Sequence, residues 1–270
     1  MSTTLAPRQI AALIGLGLFA GLFSGLFGIG GGMIIVPGLV LALRVEHKLA
    51  VGTSLMAIIP ACIVGIISYA FHSSIDWGAG AVVALGAVVG AQIGSRLLGF
   101  LSRKAAQWVF ILFAAAMIIQ LLLVVPHRDG MMTWGTWQVI ALVGLGMVAG
   151  IAAGLLGIGG GVIVVPVMMI VFGVSDLVAK GVSLVMMAPA VISALIGNLF
   201  GHRVLVRAGL IIGLSAVVTG PFGAQIAHLL PPRIANILFA CYLVFVVIMM
   251  IRKVIAPGPT PPSNAEMETP

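Results

Sequence analysis

Charge is what this sequence has least of: 7% of its 270 residues are Asp, Glu, Lys or Arg, against 61% apolar. A water-soluble domain carries about a quarter charged residues, so lipid rather than water must surround most of this chain. Carboxylates are especially scarce. Glu46, Asp76, Asp129, Asp176, Glu266 and Glu268 all read as loop or tail residues, which leaves none at membrane depth to relay protons or sodium. Only two cysteines occur, Cys62 and Cys241, in separate apolar segments, and this excludes a disulfide framework. No His/Asp/Glu cluster has metal-ligand spacing and no Ser/His/Asp set is recognisable, so an enzyme, a metal centre and a cofactor have no basis in the sequence. His72, His202 and His228 fall near segment ends, where histidines face water. The 13 basic residues outnumber the 6 acidic ones, but they lie singly or in pairs between apolar runs rather than on one face, which argues against nucleic acid as a partner.

Long apolar runs are what the chain has in abundance. Ten are evident, at 10–27, 32–43, 49–71, 78–99, 105–126, 138–156, 161–173, 182–200, 209–230 and 234–251. Most have the ~20 residues a helix needs to cross ~30 Å of hydrocarbon. The second and seventh are too short for that and predict half-helices or re-entrant arms. Arg8 followed by the run to Phe27 has the look of a signal peptide, but it lacks an Ala-x-Ala site and is repeated later, so it is expected to be retained. The organisation expected is an N-terminal cytoplasmic segment 1–8, a first transmembrane repeat 9–126, a loop 127–137, a second repeat 138–253 and a disordered Pro-rich tail 254–270. The 14 methionines include Met131/Met132, Met168/Met169, Met186/Met187 and Met249/Met250; packing accounts for them, with soft-metal ligation the alternative.

Gly21–Pro37 (GLFSGLFGIGGGMIIVP) returns as Gly150–Pro166 (GIAAGLLGIGGGVIVVP), with eleven of seventeen positions identical at an offset of 129. The same offset pairs Gly52 with Gly181, Ser54 with Ser183 and Pro60 with Pro189. Gly90-Ala-Gln-Ile93 recurs as Gly223-Ala-Gln-Ile226 at offset 133, one helical turn away, making Gln92 and Gln225 symmetry mates on this reading. Five segments per half is an odd number, so the second copy is expected upside down in the bilayer. With the N-terminus cytoplasmic, inner loops and ends hold Arg8, Arg44, Lys48, Arg96, Arg103, Lys104, Arg203, Arg207, Arg252 and Lys253. Outer loops hold Arg128, Lys180 and Arg233. That distribution follows the positive-inside rule and the pattern of inverted repeats. The fold expected is therefore an all-α integral membrane protein of two inverted repeats, each of five segments, with glycine-broken short segments.

Gly28, Gly30, Gly31 and Gly32, with their copies Gly157, Gly159, Gly160 and Gly161, interrupt apolar helix twice. Each glycine weakens a helix by about 1 kcal/mol relative to alanine. Unwound backbone at membrane depth is tolerated only inside protein or beside a polar cavity. The helix restarting after each break points free N–H groups and a positive dipole end at the gap, an arrangement suited to an anion; close packing of small residues is the alternative reading. Neither copy has the strand context or the Gly-Lys-Ser/Thr of a nucleotide loop. Pro37, Pro60, Pro166 and Pro189 mark kinks that could serve as hinges. The polar residues inside apolar runs are Thr53, Ser54, Gln92, Gln120, Ser183, Asn198, Thr219, Gln225 and His228. Ser54, Ser183, Gln92 and Gln225 are the candidates for holding a substrate by virtue of the repeat. Arg96, one turn beyond Gln92, either snorkels to the surface or lends charge to an anion path.

The doubled G-x-x-x-G-x-x-G-I-G-G-G-x-I-x-V-P pattern, followed by Gly52-Thr-Ser54, resembles the sulfite exporter TauE/SafE family of bacterial membrane permeases, over about residues 9–253. The resemblance implies a secondary carrier of sulfite, sulfoacetate, thiosulfate or related small organic anions in the bacterial inner membrane, with both termini cytoplasmic. Its motif positions here are Gly28, Gly30, Gly31, Gly32 and Pro37, and Gly157, Gly159, Gly160, Gly161 and Pro166. The partners expected are a small anionic substrate and the lipid bilayer, without a cofactor. An anion channel, a soft-metal permease and a non-transporting scaffold are the other classes compatible with the composition, and the sequence leaves direction, coupling ion and oligomeric state open.

Overall fold

A computed structural model describes residues 7–41, 44–72, 75–123 and 134–255. Apolar sequence in a bilayer must satisfy its backbone internally, so helix is the expected outcome, and the described residues form ten: α1 (Pro7–Phe27), α2 (Gly32–Leu41), α3 (His47–Phe71), α4 (Trp77–Phe100), α5 (Arg103–Leu123), α6 (Thr136–Leu156), α7 (Gly161–Val171), α8 (Asp176–Phe200), α9 (Val206–Leu229) and α10 (Pro232–Ile255). Six of them, α1, α3, α4, α6, α8 and α9, are long and apolar enough to cross a membrane. The residues before Pro7, Arg128 and Asp129, the pair Met131/Met132 and the Pro-rich tail from 256 lie outside the described residues, together with the expectations attached to them.

The two halves interlock rather than lie side by side. Helix α4 packs on α6 and α8 of the second half, and α9 packs on α1 and α3 of the first. Glycine makes this possible: a side-chain carbon at Gly146, Gly150 or Gly154 would collide with the carbonyl of Val83, Ala87 or Ala91, and one at Gly17, Gly21 or Gly25 with that of Ile212, Ala216 or Gly220. These are the close backbone approaches that small residues allow where no hydrophobic force drives helices together.

The same contacts give helix direction. Positions rise together along α4 and α6 and along α1 and α9, so both pairs are parallel. Gly80 faces Val185 and Gly197 faces Ser95, which makes α4 and α8 parallel; Gly209 meets Met56 and Gly213 meets Pro60, so α3 and α9 are parallel too. Helices α3 and α8 run in opposition, with Gly65 against Leu184 and Gly52 against Arg203 beyond the end of α8. Each long helix of the first half therefore runs opposite to its counterpart: α1 to α6, α3 to α8, α4 to α9. Helix α10 runs against α1, since Phe27 stacks on Phe239 at 4.4 Å while Phe19 meets Tyr242 at 6.0 Å.

The register of the glutamines differs from the one their sequence context suggests. Gly223 faces Leu22 as Gly94 faces Ile151, which is an offset of 129, not 133. Helices α4 and α9 also start and end 129 apart. The Gly-Ala-Gln-Ile match is thus one turn out of structural register: Gln225 occupies the place of Arg96, and Pro221 the place of Gln92. A turn's slip preserves the helical face only approximately, and the two glutamines end in different surroundings.

Candidate functional site

Both glycine runs break the helix as composition demands. Gly28, Gly30 and Gly31 have φ of 66°, 73° and 75°, and Gly157, Gly159 and Gly160 have 69°, 81° and 84°. L-residues pay about 1–2 kcal/mol each in this left-handed region, so three such positions per break explain why glycine is repeated. All of residues 28–32 and 157–161 are buried.

Hydrogen bonding at the breaks is incomplete. The Gly28 carbonyl accepts from Ser183 Oγ, and the Gly157 carbonyl accepts from Ser54 Oγ at 2.7 Å. Each serine thus crosses to the other half, while the Tyr69 hydroxyl donates to the Gly25 carbonyl at 2.9 Å. On the donor side, Gly28 and Gly157 close the preceding helices through Ser24 and Ala153. Among the described residues no acceptor meets the N–H groups of residues 29–32 or 158–161. Buried N–H groups without acceptors are rare in proteins. Two sets of them occur here, one in each break, and the carbonyls of Gly28 and Gly157 are taken up by the serines.

The two breaks touch. A carbon added at Gly32 would strike the Gly157 carbonyl, and one at Gly161 would lie 2.8 Å from the Gly28 carbonyl. Met187, from the middle of α8, fills the junction: its sulfur faces both Gly30 and Gly159, with Ile58 of α3 beside it. Met187 and Ile58 stand 129 apart, hold matching positions in their helices and are fully buried.

The remaining candidates are placed less centrally. Gln92 Nε2 donates to the Ser193 carbonyl at 2.6 Å and Ser193 Oγ donates to the Val88 carbonyl at 2.8 Å, so Gln92 clasps α4 to α8. Gln225 and Arg96 are exposed. Pro60 and Pro189 flank the junction and are half-buried, as is Pro166 in α7, whereas Pro37 in α2 is buried. Thr53 Oγ1 accepts from the Leu205 N–H and Thr219 Oγ1 donates to the Leu18 carbonyl, both fastening one helix to another, whereas Asn198 turns back on its own helix at Ala194. His72 and His228 stack at 4.2 Å.

Two charged residues sit elsewhere than the sequence alone suggests. Asp176 and Lys180 are residues of α8, not loop residues, and both are buried. The Lys180 ammonium lies 3.2 Å from Asp176 Oδ2, and the lysine stem packs against Gly28. A carboxylate is therefore present inside the bundle after all. The spacing of four between Asp176 and Lys180, three residues ahead of Ser183, is the available signal; it is masked because charges near a segment end read as loop.

Lys180 also lines a cavity of about 50 Å³. Phe27 and Ile29 of the first break form one wall, and Val162, Val165, Pro166 and Met169 of α7 form another. Met117, Gln120 and Phe239 from α5 and α10 complete it. Its polar groups are Lys180 and Gln120. The short helices differ accordingly: α2 is almost entirely buried, whereas much of α7 is partly accessible.

Comparison with known proteins accords with this architecture. The family model described as "Sulfite exporter TauE/SafE" matches residues 7–260. A probable membrane transporter protein of Bacillus subtilis, YunE, is 27% identical over 263 residues, covering 86% of this chain and 96% of the relative. A probable membrane transporter protein of Methanocaldococcus jannaschii, MJ0441, is 25% identical over 247 residues, covering 86% of this chain and 91% of the relative. No solved structure matches.

Proposed function

The chain belongs to the sulfite exporter TauE/SafE family and is a multi-pass membrane transporter rather than an enzyme; from that premise we propose that it carries sulfite, sulfoacetate, thiosulfate or a related small organosulfur anion by alternating access. The two transmembrane units, 9–126 and 138–253, act as inverted repeats that rock about the junction of their glycine breaks. The opposite directions of α1 and α6, α3 and α8, and α4 and α9 support the inversion. The membrane is the bacterial inner membrane and both termini face the cytoplasm, a reading supported by the basic residues at one end of the bundle. There Arg8 lies in the first turn of α1, Lys48 in that of α3 and Arg207 in that of α9, while Arg252 lies in the last turn of α10.

One observation carries the anion reading: among the described residues the N–H groups of 29–32 and 158–161 meet no acceptor, and the two breaks that carry them touch and are tied to the opposite half by serines. Backbone dipoles fixed in a dry site attract negative charge without a cation in the junction itself. Gly28, Gly30, Gly31 and Gly32, with Gly157, Gly159, Gly160 and Gly161, supply the cradle. Ser54 and Ser183 occupy the Gly157 and Gly28 carbonyls, and Gln92 ties α4 to α8. Met187 closes the centre in this conformation, which favours a carrier over an open channel.

Uptake of labelled sulfite, sulfoacetate and thiosulfate into proteoliposomes tests the reading. Saturable uptake of at least one is expected. Failure of all three and of methanesulfonate, while other solutes move, would reject the substrate class.

A further inference from the structure

The Lys180–Asp176 pair is a feature of the buried site that the pseudo-symmetry does not require. At the matching positions, 129 residues earlier, the first half has Val51 and His47, and it forms α3 to the same length with both residues buried. The fold can therefore build this helix without an ammonium group. A buried ion pair is at best a weak source of stability, because desolvating two charges offsets their attraction. The lysine is also placed near the N-terminal end of α8, where the helix dipole favours negative charge.

Position points to a use. Lys180 lines the cavity, whereas Asp176 is absent from its walls. The lysine stem touches the first break at Gly28, and the cavity wall continues along that break through Phe27 and Ile29. The cavity is thus lined both by the lysine and by Ile29, a residue of the first break. The other walls are hydrocarbon, except at Gln120.

We propose that Lys180 is the anion-pairing residue of this cavity, and that Asp176 is a resident counter-ion which the substrate displaces from it. The inference rests on the anion-carrier reading and adds to it the residue supplying charge and the class of ion selected. One ammonium group among apolar walls balances a compact monoanion with a small apolar body, such as an alkanesulfonate. A dianion would leave excess charge among Phe27, Met117 and Phe239. Displacement also makes affinity a competition between substrate and carboxylate, so removing the carboxylate strengthens binding. A lysine that merely secured the fold would give the opposite result, because loss of either partner would weaken everything.

The test uses the full chain in detergent and in proteoliposomes, with sodium methanesulfonate as the probe and gluconate keeping ionic strength constant. Wild-type protein is expected to be stabilised against heat by methanesulfonate and to take it up. Asp176→Asn is expected to unfold at lower temperature without the probe and to bind it about tenfold more tightly. Lys180→Gln is expected to lose the stabilisation, and Lys180→Arg to retain it. Equal binding by wild type and Lys180→Gln would overturn the proposal, as would unchanged or weaker binding by Asp176→Asn. If Lys180→Gln does not fold, the sign of the Asp176→Asn effect still decides. Wild-type uptake of the dianion thiosulfate without binding of methanesulfonate rejects the monoanion class alone. Wild-type protein that moves no anion overturns the carrier reading itself.

Discussion

Replacing Ser183 with alanine removes the hydroxyl that donates to the Gly28 carbonyl, and among the described residues no other donor reaches that oxygen. The site is fully buried, so the orphaned carbonyl costs the desolvation penalty of about 1–3 kcal/mol rather than the smaller net value of an average hydrogen bond. The serine's second acceptor, the Lys180 carbonyl, belongs to α8 and stays within the helical ladder, so its loss adds little. Ser54→Ala does the same to Gly157. Because the two breaks touch, the double variant is expected to depart from the sum of the single losses, as coupled sites do. Ser68→Ala is the control: its hydroxyl bonds only Val64 on its own helix, so a change within about 0.5 kcal/mol is expected. Denaturation in mixed micelles followed by far-UV circular dichroism measures the losses, and proteoliposome uptake measures their effect on transport. If Ser54→Ala and Ser183→Ala unfold together with the Ser68→Ala control, the serines do not brace the breaks.

Three other perturbations separate parts of the site. Gln92→Ala should cost about 0.5–1.5 kcal/mol through its lost bond to Ser193, while Gln225→Ala, on an exposed face, should change stability by less than about 0.5 kcal/mol; the same denaturation assay compares them. Gly150→Leu drives a side chain into the backbone at Ala87, overpacking expected to exceed about 3 kcal/mol and to abolish the monodisperse peak in size-exclusion chromatography. Met187→Ala empties the junction where the breaks meet, costing about 2–5 kcal/mol; accelerated efflux of solute from loaded vesicles is expected alongside.

The fold is legible in the sequence wherever physics acts locally. Apolar runs set helix positions to within a few residues, and clustered glycines set the breaks, because each glycine's effect on the backbone needs no partner. The short segments expected at 32–43 and 161–173 are the helices Gly32–Leu41 and Gly161–Val171. Tertiary direction is harder to read. Ser54 and Ser183 stand out as ligand donors, but sequence cannot show that each hydroxyl's single hydrogen is already shared between a carbonyl of its own helix and one of the other half. A four-residue identity equates the glutamines, whereas packing follows the 129-residue register of Gly94 and Gly223. Lys180 reads as a loop residue because a charge near the end of an apolar run ordinarily meets water; only the fold brings α5, α7 and α10 around it.

The glycine amides themselves give the most direct test of the cradle. Protein labelled with ¹⁵N-glycine and reconstituted in lipid would be titrated with sulfite or methanesulfonate and followed by solid-state NMR. Anion-dependent downfield proton shifts are expected at glycines of both runs, 28–32 and 157–161, with Gly15 and Gly144, which have open space around them, as unmoved references. Saturable anion binding that leaves both glycine runs unshifted would contradict the central claim.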